Sequence, residues 1–342
     1  MGNLKKALLI GWFSLLMGSV WAQGVSFVLG NLRTPFTQAK AQKKAVFVEV
    51  YSPTCHVCES FKPTFQQASV GAAYNARFVS YKLDINSPEA QAFLAKQHLV
   101  VPSLPLFLFF DADVKLLHAQ NVSNSAKEVI GVANTALDAT KRGSAYANRF
   151  KKGERSTAFL LEYGSFTRIV RDTVANVQVM QAYAKALPSS AYTSKPAFTA
   201  LQNVVMDAEN PLFTYFISHL AVYKGKYPPQ EVTKAGESIV MNTLYAGRAA
   251  FMAPERIQKI GSYLTTLGLD AKSVENRTLI PDLNALVRAQ RWGQLLDRIN
   301  RYEKVGGPGP AECSYLASYL RSKSNNPQIL QKAAALASRG NR

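Results

Sequence analysis

The stretch VEVYSPTCHVCESFKP, residues 48–63, holds two of the chain's three cysteines, two residues apart, with His56 wedged between them. A C-x-x-C pair can bind a metal, staple a loop or exchange electrons. A structural zinc site needs four ligands, as paired cysteines or as cysteines with spaced histidines. The four histidines, His56, His98, His118 and His219, show no such spacing. The remaining metal alternative is a copper site built on Cys55, Cys58 and His56 with a distant partner. A disulfide framework needs a denser, even set of cysteines than three in 342 residues. The third, Cys313, stands far downstream beside Tyr315 and Leu316, and reads as a buried, inert thiol. Electron exchange is the leading reading of the pair.

The start of the chain bears on that choice. MGNLKKALLIGWFSLLMGSVWAQG has a positive n-region at Lys5 and Lys6 and an apolar run from Ala7 to Val20. Val20-Trp21-Ala22 supplies an A-x-A-like cleavage site, so residues 1–22 read as a signal peptide and the mature chain as starting at Gln23. An uncleaved anchor needs a run of roughly 20 apolar residues, which this stretch does not reach. The expectation is an exported protein without a stable transmembrane anchor, in the periplasm or outside the cell. In such a compartment disulfides form and persist.

Outward from the cysteines, strands and helices alternate. AVFVEVY (45–51) is β-branched and apolar, as a buried strand should be, and RFVSYKLDI (77–85) is a second strand. PLFLFFD (105–111) and VKLLHA (114–119) read as a hairpin, and residues 125–141 as a closing amphipathic helix. Thr34-Pro35 reads as the cap of a helix through Lys43, and Ser87-Pro88 as the start of another to about His98. Val57, Phe61, Phe65 and Ala68 recur at helical spacing after the cysteines. The pattern implies an α/β domain with a mixed sheet, over residues 23–141.

Five features in register resemble the thioredoxin family over roughly residues 26–141. Cys55 and Cys58 fall at a strand-to-helix junction. Glu49 stands six residues before Cys55, where the family keeps a buried acid, and Pro63 five after Cys58, where it has a helix-kinking proline. Lys82 in YKLDIN takes the place of the family's lysine near that acid, and Pro105 that of its cis-proline. The departures are equally specific. Thr54 replaces the aromatic residue before the first cysteine, and His56-Val57 replaces Gly-Pro. Leu106 stands for a threonine, and Asp113 for a glycine often found in the hairpin.

The resemblance implies a thiol–disulfide oxidoreductase that uses no cofactor. At a helix start, free N–H groups favour a thiolate, so Cys55 is expected to attack and Cys58, a turn further in, to resolve the mixed disulfide. His56, as imidazolium, would favour the thiolate and modulate the potential. Glu59 reads as a surface acid. Glu49, desolvated among Phe47, Val48 and Val50, is expected to have a raised pKa suited to moving a proton, with Lys82 as its partner. Leu104 and Pro105 are the expected substrate-binding residues, offering backbone to an extended chain. Pro102 is the weaker candidate for the cis bond.

From about Ser144 the strands stop, and residues 142–342 read as an all-helical domain of unequal segments, not a regular repeat. Residues 1–140 carry 12 Lys or Arg and 8 Asp or Glu, a net +4, which leaves +14 of the total +18 in the helical half. Such an excess suits an acidic partner or an anionic envelope surface. With no reading motif, nucleic acid is excluded as a partner. The expected substrates are protein thiols or disulfides, with a separate redox partner protein. The competing reading is a non-catalytic binding protein, with the thioredoxin unit as scaffold and the helices as interaction module.

Overall fold

The computed structural model describes residues 23–340; the expected leader lies outside them. The first part of the chain runs α1 (Arg33–Gln42), β1 (Ala45–Tyr51), α2 (His56–Glu59), α3 (Lys62–Phe65), α4 (Ala68–Asn75), β2 (Phe78–Asp84), α5 (Pro88–Lys96), β3 (Leu106–Phe110), β4 (Leu116–Gln120) and α6 (Ala126–Leu137). The four strands form one sheet in the order β2-β1-β3-β4. β1 and β2 are parallel, and β1–β3 and β3–β4 are antiparallel, so the sheet is mixed.

Side-chain alternation along the strands divides the core in two. Val46, Val48, Val50, Val79, Leu83, Leu106, Leu108 and Phe110 pack on one face with Phe36 and Ala39 of α1 and Ala90 and Leu94 of α5. Phe47, Phe78, Phe107 and Phe109 face the other way, onto Phe61, Phe65 and Tyr74 and onto Val129, Val132 and Ala133 of α6. Glu49, in the middle of β1, shares the parity of Phe47. It therefore points into the aromatic layer beneath α2–α4, away from the protein surface.

Local details depart from the sequence expectations for identifiable reasons. Thr34 does not cap α1: the Asn31 side chain accepts the Arg33 N–H, which starts the helix earlier, with Pro35 still inside the first turn. The segment after the cysteines is three short helices instead of one kinked helix. Ser60 hydroxyl donates to the Val57 carbonyl, Pro63 lacks an N–H, and Gln67 is extended, so the run is interrupted twice. Val57 consequently points outward and is 57% exposed. In the β3–β4 hairpin the left-handed residue is Val114, next to Asp113, while the Asp111 carboxylate accepts from the N–H groups of Asp113 and Lys115. The closing helix ends at Leu137, because the Asp138 carboxylate turns to bond Thr140. Ser87 does cap α5, accepting from Ala90 N–H.

Beyond α6 only helices follow: α7 (Tyr146–Lys151), α8 (Thr157–Ile169), α9 (Thr173–Ala186), α10 (Lys195–Asn203), α11 (Pro211–Ser218), α12 (Leu220–Lys226), α13 (Pro229–Leu244), α14 (Pro254–Thr266), α15 (Ala271–Arg288), α16 (Trp292–Lys304), α17 (Pro310–Lys323) and α18 (Pro327–Gly340), with three short 3-10 turns. α15 and α16 are separated at Gln290, which takes a left-handed conformation. Prolines open α11, α13, α14, α17 and α18, where the missing N–H costs no helical hydrogen bond. Cys313 is a free, buried thiol in α17.

Contacts at the α5–β3 connection and at β4 fasten the helices to the first part of the chain. Val100 N–H donates to the Ile169 carbonyl at 2.9 Å, and the Ile169 side chain completes the valine-rich core. Gly143 N–H donates at 3.0 Å to Nδ1 of buried His118 on β4. At this approach a Cβ on Gly143 would lie 2.3 Å from the Phe166 ring, so only glycine fits.

Candidate redox site

β1 delivers the chain to Tyr51, and a tight loop carries it to the cysteines. Cys55 N–H donates to the Ser52 carbonyl, while the Ser52 hydroxyl is bonded to Thr54 and receives a hydrogen bond from Asn86. The loop is thus held from both sides before α2 begins. Cys55 and Cys58 are joined as a disulfide, with their Cα atoms 5.3 Å apart. Cys58 N–H donates to Cys55 Sγ at 3.2 Å, so the first sulfur caps the helix that carries the second. The two are unequal: Cys55 is half-buried at the surface, whereas Cys58 is only 4% exposed. His56 and Val57 are both exposed beside Cys55. Glu59 forms a surface ion pair with Lys62.

Glu49 is fully buried, directly opposite Lys82 in the β1–β2 register. Lys82 Nζ lies 3.0 Å from Glu49 Oε2, an ion-pair contact. The contact is poorly aligned as a hydrogen bond, so what compensates the buried carboxylate is chiefly the charge of Lys82. Burial pushes the Glu49 pKa up, and the attraction of Lys82 offsets this only in part. Lys82 itself is held over three rings, at 5.0 Å from Phe27, 5.2 Å from Tyr51 and 5.7 Å from Phe65. That cage was not visible in the sequence. Phe27 comes from a short leading segment that bridges to Ser80 beside β2, a contact too brief to leave a strand-like pattern.

The Leu104–Pro105 peptide bond is cis, and the Pro102 bond is not among the cis bonds of the described residues. Val50 pairs with Leu106 in the antiparallel β1–β3 register, so Pro105 sits at the end of the sheet from which the chain leaves for the cysteines. Pro105 is buried and Leu104 half-buried. Asn121, just past β4, fixes this loop by donating from Nδ2 to the carbonyls of Ser103 and Pro105 at 3.0 and 2.6 Å. Asn124, three residues on, donates to Ser60 and accepts from the Thr64 hydroxyl, which pins α2 and α3. Neither asparagine stood out in the sequence, where NVSN reads only as a polar loop.

Residues 30–112 match the family model described as thioredoxin-like. The chain carries a thioredoxin-like domain. Its mixed sheet and flanking helices are followed by the largely helical region described above. No curated protein matches the chain. Several solved structures are similar to the chain, two of them as follows. The solution structure of a candidate disulphide-isomerase from Bacteroides thetaiotaomicron is 19% identical, covers 34% of this chain and 95% of its own, and has a TM-score of 0.31. The crystal structure of a disulphide isomerase from Xylella fastidiosa Temecula1 is 14% identical, covers 36% of this chain and 88% of its own, and has a TM-score of 0.23.

Proposed function

We propose that the protein is a thiol–disulfide oxidoreductase of the cell envelope. The observation that carries this reading is the asymmetry of the cysteine pair: a half-buried Cys55 at the surface, a buried Cys58 behind it, and a buried acid on the strand that leads to them. In the reducing direction, the Cys55 thiolate attacks one sulfur of a substrate disulfide, and the other substrate sulfur leaves as a thiolate. Cys58 then gives its proton to Glu49 and attacks Cys55 Sγ, expelling the second substrate thiolate. Two electrons pass to the substrate, and the Cys55–Cys58 disulfide remains. A separate dithiol or disulfide protein resets the pair, and its potential sets the direction of flow. A protonated His56 beside Cys55 would favour the thiolate. Leu104 and Pro105 present backbone to an extended stretch of the substrate.

The envelope location rests on the charged and apolar pattern of residues 1–22. No helix among the described residues is long and apolar enough to cross a membrane. A Cys58→Ala variant, unable to resolve, tests the reading when produced with its leader and recovered from envelope extracts. It should carry reductant-sensitive adducts to other proteins, and Cys55→Ala should carry none. Absence of adducts on the first variant, or equal adducts on both, would count against the catalytic role.

A further inference from the structure

Between the thioredoxin-like domain and the helices lies a cleft of about 830 Å³. Pro102, on the loop that leads to Pro105, lines it together with Arg168 near the end of α8 and Arg171 in the turn that follows. Met206, Met241 and Tyr245 supply apolar surface, and no residue lining the cleft is acidic. Nη1 of Arg168 is buried without a hydrogen-bond partner. Burial depresses its pKa with no acidic neighbour to offset the effect.

Several arginines elsewhere in the helical region do have acidic partners. Arg248 pairs with Asp207, Arg256 with Glu209, Arg277 with Glu237, Arg291 with Glu255, and Arg298 with Glu275 and Asp282. Among the described residues no salt bridge reaches Arg168 or Arg171. A desolvated cation without a counter-charge is costly, and an arriving anion relieves that cost.

The shape indicates how long the anion is. A second cavity shares Pro102 and Arg168 in its lining and adds Lys234 and Ser238. A third shares Tyr245–Gly247, is lined by Lys323 and by Arg288, which also donates to the Ala249 and Met252 carbonyls, and is again free of acids. The single carboxylate along the path, Glu231, already accepts a hydrogen bond from Gln202. A small anion fills one cavity, whereas an extended chain can lie across three neighbouring ones that share lining residues and each carry a cation.

We propose that this groove binds an extended acidic segment of a partner polypeptide, with carboxylates on Arg168 and Arg171 and aliphatic side chains against Met206, Met241 and Tyr245. The site is separate from the disulfide and does not depend on its chemistry. Pro102, which lines the groove, stands three residues before Pro105, at most about 10 Å of chain.

The test uses the full mature chain and a fluorescein-labelled, cysteine-free peptide of alternating Glu and Leu, followed by anisotropy. A peptide with Gln in place of every Glu is the control, and inorganic polyphosphate and a single-stranded oligonucleotide serve as competitors. The acidic peptide should bind at least about tenfold more tightly than the Gln peptide, and Arg168→Met and Arg171→Gln should each weaken it by about tenfold, the scale of one charge-assisted hydrogen-bonded contact. Arg171 is exposed, so its variant keeps the test valid if Arg168→Met fails to fold. Equal binding of both peptides, unchanged affinity in a folded Arg171→Gln variant, or no binding would overturn the proposal. Tighter arginine-dependent binding of polyphosphate or the oligonucleotide than of the peptide would also overturn it.

Discussion

Replacing Glu49 by Leu should stabilise the protein while slowing its thiol exchange. The Glu49 carboxylate is fully buried, and its contact with Lys82 is poorly aligned as a hydrogen bond. Leaving such a polar group buried costs about 1–3 kcal/mol. Its pKa is raised, which means that desolvation outweighs the attraction of Lys82. Lys82 is 30% exposed, so after the substitution its ammonium reaches water along the flank of its aromatic cage instead of becoming a trapped charge. A leucine in the same aromatic layer adds apolar burial, and the expected net gain in unfolding free energy is about 1–3 kcal/mol. The pH dependence adds a second signature. A carboxyl with a raised native pKa binds its proton more tightly in the folded state than in the unfolded one. Its stabilising contribution is complete below the ordinary carboxylate pKa and is lost as pH rises through the native value. The stability gain of Glu49→Leu should therefore grow across that interval. If Glu49 also takes the Cys58 proton, resolution of a preformed mixed disulfide on Cys55 should slow by about 10²-fold or more. Urea unfolding at several pH values and stopped-flow resolution kinetics measure the two effects. A destabilised variant with unchanged resolution would refute the reasoning, because Glu49 would then be a structural member of an ion pair.

Other consequences concern the seams of the molecule. Burial lowers the pKa of His118 to about 4, so the unfolded state takes up its proton first. Stability should fall by roughly 3 kcal/mol as pH drops from about 6.5 to about 4, and histidine NMR titration would show the depressed value directly. Gly143→Ala drives a methyl into the Phe166 ring and should cost about 1–3 kcal/mol by urea unfolding. Arg298 is 1% exposed and holds both Glu275 and Asp282, so Arg298→Met strands two acids and should cost about 3–5 kcal/mol by the same assay.

Much of the thioredoxin-like domain was legible because its signals are local. The β-branched run through Val46, Val48 and Val50 marks a strand buried on both faces, and Glu49 stands out as the charge interrupting it. The apolar run at 106–110 likewise identifies Pro105 as the proline that abuts a strand. What stayed hidden depends on contacts between distant residues. The cage around Lys82 needs Phe27 and Phe65 brought together, and Asn121 acts only because β4 returns beside the Pro105 loop. Helical spacing also misled at Val57, since periodicity does not register that Pro63 and Ser60 break the run. In the second half the repeating apolar spacing located helices well. Their docking through Ile169 and His118, and the unpaired arginines beside Pro102, emerge only from packing.

The central claim is that Cys55–Cys58 is a working redox couple, not a structural staple, and its reduction potential tests that most directly. Equilibration with defined glutathione mixtures, read by thiol trapping, should give a single two-electron transition between about −270 and −120 mV, the interval spanned by thioredoxin and the strongest disulfide donors. A potential below about −300 mV, where structural disulfides of secreted proteins lie, would contradict the account.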